Sequence, residues 1–416
     1  MVRSILWFRQ DLRLHDNEAL QEAIRSSDEL LPIFIFNPKD FKSKTIYGTP
    51  KTGLSRVRFL IESIIDLRRN LRNMGSDLIV RVGDPEKILY NLAVLFQINW
   101  VYCNRERTRE EVNIQDRLEK KLWTIGREVR YSRGKMLFYT SDLPYPVTHC
   151  PDSFTIFKKE TEQIIYVRAP LDMPEHIPPF SEAIEPGEIP ELKDLIYVNV
   201  EDSIQCFTGG ESAGFVALAE YGLNDPPSSV IFDGTSLSPW LSMGCLSPKK
   251  VYYEAPHFKS GGEDVQQYLL YRDYLRLMGK KYGDKIFYKS GIKGVSIKNI
   301  TDPEALLRWQ QGLTGVTIID AAMHQLNRTG WLPDQLRRLV AGYYLKVLNL
   351  DWRLGAAYFE SKVVDYDPCS NWVSWLNLAG LGPDSRDDRI INYEAVGKRL
   401  DPDGKYANTW IPQFSG

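Results

Sequence analysis

The sequence of 416 residues has few cysteines, no long apolar run and no surplus of either charge. Its five cysteines, Cys103, Cys150, Cys206, Cys245 and Cys369, are odd in number, lie far apart and form no C-x-x-C pair. Neither a disulfide framework nor a zinc site is indicated, and a reducing compartment is expected. No apolar stretch reaches the ~20 residues that a membrane-spanning helix needs. A strand-like run over residues 4–8 follows Met1 at once, which leaves no room for the basic segment, apolar core and cleavage site of a secretory signal. The expectation is a soluble intracellular protein, cytoplasmic by default, with an organelle or the nucleus also open. Lys plus Arg (52) nearly balance Asp plus Glu (54). That excludes a bulk polycation holding DNA by charge alone, although a local basic face is compatible with it. The first strand is followed by no Gly-rich phosphate fingerprint, which disfavours a Rossmann dehydrogenase.

What is present is length and aromatic residues. Single cores stop growing at roughly 250 to 300 residues, so two domains are expected. Eight of the ten tryptophans follow residue 120, which makes the second half the aromatic one. The first third alternates short apolar runs with helical patterns, as buried parallel strands with helical crossovers do. Strands are expected over 4–8, 30–36, 77–82, 100–103 and 128–131. Between the second and third, Val57, Leu60, Ile61, Ile64, Leu67 and Leu71 recur at helical spacing, with Gly75 as a stop. This predicts an α/β domain over 1–135, a five-stranded parallel sheet with flanking helices. From about residue 140 the text turns Pro-rich (Leu143-Pro-Tyr-Pro, Ile177-Pro-Pro, Glu185-Pro-Gly), and 136–206 is read as an irregular connector. Residues 207–416 are mostly helical in pattern: Leu336, Leu339, Val340, Tyr343 and Val347 form one apolar stripe, and Tyr268, Tyr271, Arg272 and Leu275 a mixed face.

Three segments carry candidate chemistry. Trp7-Phe-Arg-Gln-Asp-Leu-Arg-Leu-His-Asp-Asn17 follows the first strand, where an open parallel sheet places its ligand crevice. The plainer reading is a charged loop that caps the next helix through Asp16 or Asn17. Thr235, Ser236 and Ser238 put three hydroxyls just before a helical pattern, a place suited to a phosphate as well as to simple capping. Asn371 and Trp375 are four apart and share a helical face. They pair an amide with an oxidisable indole, or else form a core tryptophan with a capping asparagine.

Together these segments resemble the photolyase/cryptochrome family. Trp7-Phe-Arg-x-Asp-Leu-Arg-x-x-Asp-Asn17, Thr235-Ser-Leu-Ser-Pro-Trp-Leu241 and Asp351-Trp-Arg-x-Gly355 carry the resemblance in order, from Ser4 to about Phe414. Lys51-Thr-Gly, Gly75-Ser-Asp-Leu, Tyr271-Arg-Asp-Tyr, Lys281-Tyr-Gly-Asp-Lys-Ile-Phe and Cys369-Ser-Asn look most like its cryptochrome-DASH branch.

The resemblance implies a U-shaped FAD in the helical half. Thr235, Ser236, Leu237 and Ser238 would hold its diphosphate, with Tyr221 nearby. Arg272, Trp331 and Arg337 would line the flavin, Asp365 would pair with Arg337, and Asp367 would reach the sugar or adenine side. Asn371 would face the redox-active nitrogen. Trp375 matches the flavin-proximal tryptophan of the family's electron-transfer chain and Trp352 the middle one, while the outer position falls at Asn299. Tyr343, Tyr344 and Trp372 are candidates to replace it. In the substrate pocket the usual residues are exchanged for Tyr268, Tyr271, Asp334, Gln335, Asn377 and Val396, each change removing a polar or stacking partner of a flipped lesion.

The resemblance therefore implies a cryptochrome-DASH-like blue-light flavoprotein that does not repair the usual cyclobutane pyrimidine dimer. The alternatives are a photolyase acting on another lesion or on single-stranded DNA, in which Tyr268 and Tyr271 stack on bases, and a flavin-free scaffold. Methenyltetrahydrofolate is the expected antenna between the domains, with Asn104 and Glu106 as contacts. The expected state is a monomer, with DNA binding weakened by the pocket substitutions.

Overall fold

The computed structural model describes residues 1–196, 203–223, 234–385 and 392–411; the side chain of Thr235 lies outside the described residues. The five expected strands are present as β1 (Arg3–Phe8), β2 (Glu29–Phe36), β3 (Ile79–Val82), β4 (Trp100–Asn104) and β5 (Glu128–Ser132). All pair in parallel, in the order β3-β2-β1-β4-β5. β3 starts two residues later than expected. The Asp77 carboxylate is taken up by Arg72 (3.0 and 3.1 Å) and the Leu78 carbonyl by Arg68 (2.8 and 3.1 Å), so both are drawn out of the ladder.

The crossovers are α1 (Glu18–Ser26), α2 (Leu54–Asn73), α3 (Pro85–Leu95) and α4 (Arg109–Trp123). One sheet face, with Ile5, Ile33 and Val101, packs on Leu89 and Leu118 of α3 and α4. The opposite face, with Leu6, Phe8, Phe34 and Tyr102, belongs to the same core as Trp240, Tyr274, Leu336 and Trp375 of the helical half. The two halves thus share apolar packing, and the strand C-termini face the helices.

The connector is not wholly irregular, contrary to its Pro-rich reading. It contains α5 (Phe154–Ile164), whose Phe154 and Phe157 pack on Tyr271 and Tyr274 at ring distances of 4.9 and 5.6 Å. Only Phe157 and Thr161 are buried on it and Ile164 is exposed, so its apolar stripe was too short to signal a helix. The helices that build the site are α6 (Glu211–Leu223), α7 (Ser238–Met243), α8 (Gly262–Tyr282), α9 (Thr317–Thr329), α10 (Asp334–Lys346), α11 (Trp352–Lys362) and α12 (Pro368–Leu378). The stripe of Leu336, Leu339, Val340 and Tyr343 is buried on α10. Val347 lies one residue past that helix and is exposed, because the apolar face ends with the last turn.

The segment after β1 is a clasp between the halves. Asn17 caps α1, accepting from the Leu20 backbone N–H at 3.2 Å. Asp16 instead accepts from Leu171 N (2.8 Å) and pairs with Lys249 (2.8 Å), both ions buried. Arg13, 1% exposed, donates to the carbonyls of His15, Asp16, Gly134 and Gly244 at 2.7 to 3.1 Å. Gly244 ends α7 at φ +71°, and a β-carbon there would fall 2.6 Å from Asp11 Cα, so only glycine lets the two segments meet.

His15 Nε2 accepts from the Ser247 backbone N–H (3.1 Å) while Nδ1 bonds Glu211, an arrangement that fits the neutral ring. Burial lowers its pKa and the Glu211 contact only partly offsets this. Protonation would put a second donor against the Ser247 N–H. Since the unfolded chain takes the proton at about pH 6.5 and the folded one only at lower pH, stability is complete above that value and falls as pH drops through it. A His15→Gln variant is expected to show a flatter decline of urea-unfolding stability between about pH 6.5 and 5 than the parent. Arg13→Ala, which strands four buried carbonyls, is expected to cost about 3 kcal/mol in the same measurement.

Candidate functional site

Asp365, in the turn between α11 and α12, ties three elements together. Arg337 of α10 grips it through Nη1 and Nη2 (3.0 and 2.8 Å), and Ser238 at the start of α7 donates its hydroxyl to the same carboxylate. Arg337 Nε is held by the Leu332 carbonyl (2.6 Å), so the fork is fixed in plane. Ser238 is therefore engaged with Asp365 in this structure. Tyr268 of α8 lies in the field of Asp365, Arg272 and Arg337, and burial pushes its hydroxyl pKa up.

On α8, Arg272 donates to the carbonyls of Lys135 (2.9 Å) and Leu241 (3.1 Å), which locks it between the halves. Four residues on, Arg276 pairs with Asp367, whose other oxygen caps α12 by accepting from Ser370 N (2.8 Å). Burial works to raise the Asp367 carboxyl, but Arg276 and Arg272 outweigh it and hold the group below its ordinary value. Arg276 went unnoticed in the sequence, although its i+4 spacing from Arg272 on one face was legible there.

Helix α12 presents two faces. Asn371 and Trp375 share one, as their spacing predicts. Asn371 Nδ2 donates to the Ala356 carbonyl (3.0 Å), and among the described residues its Oδ1 has no partner. The buried Trp375 ring is boxed by Tyr344, Phe359 and Trp309 at 5.6, 5.3 and 6.2 Å, each close to perpendicular. Gly355 of α11 lies under that ring: a β-carbon there would overlap the Trp375 indole, which gives the glycine of Asp351-Trp-Arg-x-Gly355 its physical reason. Trp352 begins α11 one turn earlier.

Trp331, packed on Phe207 at 5.5 Å, has a buried indole N–H without a partner among the described residues. Such a donor is costly unless a ligand accepts from it. With the open Asn371 amide oxygen, it fits an aromatic heterocycle bearing acceptors and a donor. Tyr221 of α6 packs on Phe258 (5.4 Å). Ser236 and Leu237 lie in a short 3₁₀ turn (Gly234–Leu237) leading into α7.

The substituted pocket residues are largely occupied by neighbours, except that the buried Asn377 Nδ2 has no partner among the described residues. Asp334 pairs with Arg338 (2.6 Å), Tyr271 is stacked on Tyr274 (6.0 Å) and edged by Phe154, and Asn377 Oδ1 accepts from Asp384 N (3.1 Å). Gln335 is half-buried on α10, and Val396 packs partly buried against the core.

The second face of α12, with Pro368 and Trp372, lines a cavity of about 920 Å³ at the C-terminal ends of β1, β2 and β4, beside the β1/β4 boundary where the parallel sheet reverses its winding. Trp7, Arg9, Glu106 and Glu111 close its other side. The Arg9 guanidinium lies 4.6 Å over the Trp7 ring. Glu106 is buried and paired with Lys135, and the Glu111 carboxyl is pushed up to about 7, first by burial and then by the charge of Glu106. Asn104 does not reach this cavity. It is a structural tie, donating to Asp11 Oδ2 (2.5 Å) and accepting from Gly134 N (3.1 Å), so both ends of its amide are consumed.

Residues 4–178 match the DNA photolyase family and residues 266–416 the FAD binding domain of DNA photolyase. The chain is 36% identical over 431 residues to the cryptochrome DASH of Gloeobacter violaceus, spanning 99% of this chain and 86% of that one. A cryptochrome structure from Synechocystis is similar at a TM-score of 0.91 and 33% identity, over 99% of this chain and 89% of that one. An archaeal photolyase from Sulfolobus tokodaii, crystallised with two FAD molecules, is similar at a TM-score of 0.82 and 28% identity, over 99% and 90% of the two chains. With both its sheet half and its FAD-binding half accounted for, the chain belongs to the photolyase/cryptochrome family and is similar along nearly its whole length to cryptochrome DASH.

Proposed function

We propose that the protein is a cryptochrome-DASH-like blue-light flavoprotein that moves an electron from Trp375 to FAD and does not repair the usual cyclobutane pyrimidine dimer. The observation that carries this reading is α12, which sets an amide oxygen without a partner among the described residues and a boxed-in indole on one face, in the same helical half as the part-buried Arg337–Asp365 pair. When bound, FAD supplies the light absorption and the electron acceptor.

The chain supplies position and charge. With FAD bound, Asn371 Oδ1 would be the acceptor for a protonated ring nitrogen and the Trp331 N–H, unpartnered among the described residues, a donor to the cofactor. Arg272 and Arg337 line the flavin, and the Asp365 charge holds the Arg337 fork steady. Asp367 serves the sugar and adenine side. Thr235, Ser236, Leu237 and Ser238, with Tyr221 nearby, hold the diphosphate. Trp352 follows Trp375 as the second donor. The interdomain cavity takes a second chromophore, methenyltetrahydrofolate, against Glu106.

The absence of dimer repair is supported by the pocket. A lesion flipped out of a duplex must be met by free polar and stacking groups. Here Asp334 and Tyr271 already spend theirs on Arg338 and Tyr274, and Asn377 spends its amide oxygen on Asp384 N, which leaves its buried Nδ2 open among the described residues. Asp334 next to Gln335 also weakens attraction for a phosphate backbone.

Freshly purified protein is expected to be yellow and to bleach reversibly under blue light. A colourless preparation that takes up no FAD would favour a binding scaffold. Trp375→Phe is expected to slow photoreduction about tenfold or more, a barrier change of about 1.4 kcal/mol. An unchanged rate would mean that electrons enter elsewhere. Reduced, illuminated protein is expected to leave cyclobutane dimers in duplex oligonucleotides intact. Turnover of a different lesion, or of single-stranded substrate alone, would support a photolyase of altered specificity.

A further inference from the structure

We propose that Trp372 is the terminal electron donor of this chain and that Glu360 takes up its indole proton. The inference rests on the electron-transfer reading above and extends it to the outer end. The position where the family has its outer tryptophan is Asn299, whose amide is tied to the Leu350 carbonyl at 3.1 Å and offers no oxidisable ring.

Trp372 lies beside the middle donor. Its ring centroid is 5.7 Å from that of Trp352, at 78°. It lines the interdomain cavity, 4% exposed, with Tyr47 at 6.1 Å and Phe287 at 5.1 Å. In protein whose cavity holds no second chromophore, a solute entering it can therefore reach the last ring of the series.

Proton chemistry separates Trp372 from the other rings. An indole or phenol that has lost an electron becomes far more acidic, and the hole is trapped where a base within hydrogen-bond reach can accept the proton. Trp372 Nε1 donates to Glu360 Oε2 at 3.0 Å and lies 3.2 Å from the Tyr366 hydroxyl. Trp352, Trp309 and Tyr344 donate instead to the carbonyls of Lys289 (3.2 Å), Val340 (3.2 Å) and Asp351 (2.9 Å), which take no proton. Tyr343 packs on Tyr393 (5.3 Å). Of these candidates, Trp372 alone combines contact with Trp352 and a carboxylate partner. Glu360 is faced by Arg56, Lys51 and Tyr366, and burial raises its pKa, which makes it a better base than a surface carboxylate.

The steps balance. Trp375 gives one electron to the photoexcited flavin, Trp352 refills Trp375, and Trp372 refills Trp352. Trp372 then passes its Nε1 proton to Glu360 and remains as a neutral radical. A small thiol from solution returns one hydrogen atom to that nitrogen, and Glu360 releases its proton to solvent.

The test is flash photolysis of the FAD-loaded protein, with transient absorption and electron paramagnetic resonance reading the indole radical, assigned with ring-deuterated tryptophan. The parent is expected to form a long-lived deprotonated indole radical that a thiol quenches. Trp372→Phe should abolish it and cut the yield of charge separation about tenfold. Glu360→Gln keeps an acceptor oxygen but no base, and should leave the indole radical protonated and shorter-lived. If Trp372→Phe weakens flavin retention, Glu360→Gln decides alone. A radical of unchanged lifetime and protonation in both variants overturns the proposal. Trp375→Phe, run in parallel, tells the two levels apart: loss of photoreduction there with no effect at Trp372 sinks only the terminus, whereas no effect at Trp375 overturns the underlying reading and this inference with it.

Discussion

The seam between the sheet half and the helical half is closed by buried charge, and both candidate sites depend on it. Arg13 spends its guanidinium on four carbonyls from both sides, and Asp16 meets Lys249 with no water between them. Asp273 of α8 catches the backbone N–H groups of Leu137 and Phe138 at 2.8 and 3.1 Å. Losing any of these partners would leave a charge or several carbonyls buried and uncompensated, so the seam has little freedom to slide. That rigidity is useful to a protein whose chemistry depends on the distance between rings.

α12 is the wall between the two sites. One face carries Asn371 and Trp375 onto α11, against Ala356 and Gly355, and the other carries Trp372 to the cavity. A single helix can do this because residues one apart point about 100° apart, while residues four apart align. Gly355 lets α11 come close enough to clamp the Trp375 ring, and the Asp367 cap fixes where the helix starts. Placement of the aromatic rings thus follows from backbone decisions at the helix ends.

The substitutions in the lesion pocket and the retained flavin environment have different physical characters. Around Asp365, charges, hydroxyl and guanidinium form a closed set, while among the described residues of the same helical half the Trp331 N–H and the Asn371 oxygen are left for a ligand. Around Tyr271, ring packing on Tyr274 and Phe154 and the bond from Asp384 N to the Asn377 oxygen take up most of the contact surface, so a flipped base would find the Asn377 Nδ2 but little free stacking. The same helices can therefore keep one ligand and lose another.

The sequence by itself determined the strand set, the parallel sheet, the helical second half, and the pairing of Asn371 with Trp375, because each is written in periodicity or in i,i+4 spacing. It also held the order of motifs that marks the family. Only the tertiary structure decided that Asn104 is a tie and not a cavity contact, that Arg276 answers Asp367, that part of the Pro-rich connector is a helix, and that Glu360 lies under the Trp372 N–H. These are partnerships between residues far apart in the chain or on different helices, set by how elements pack. No local pattern records them, since hydrogen-bond partners across a core are selected by distance in space and not along the sequence.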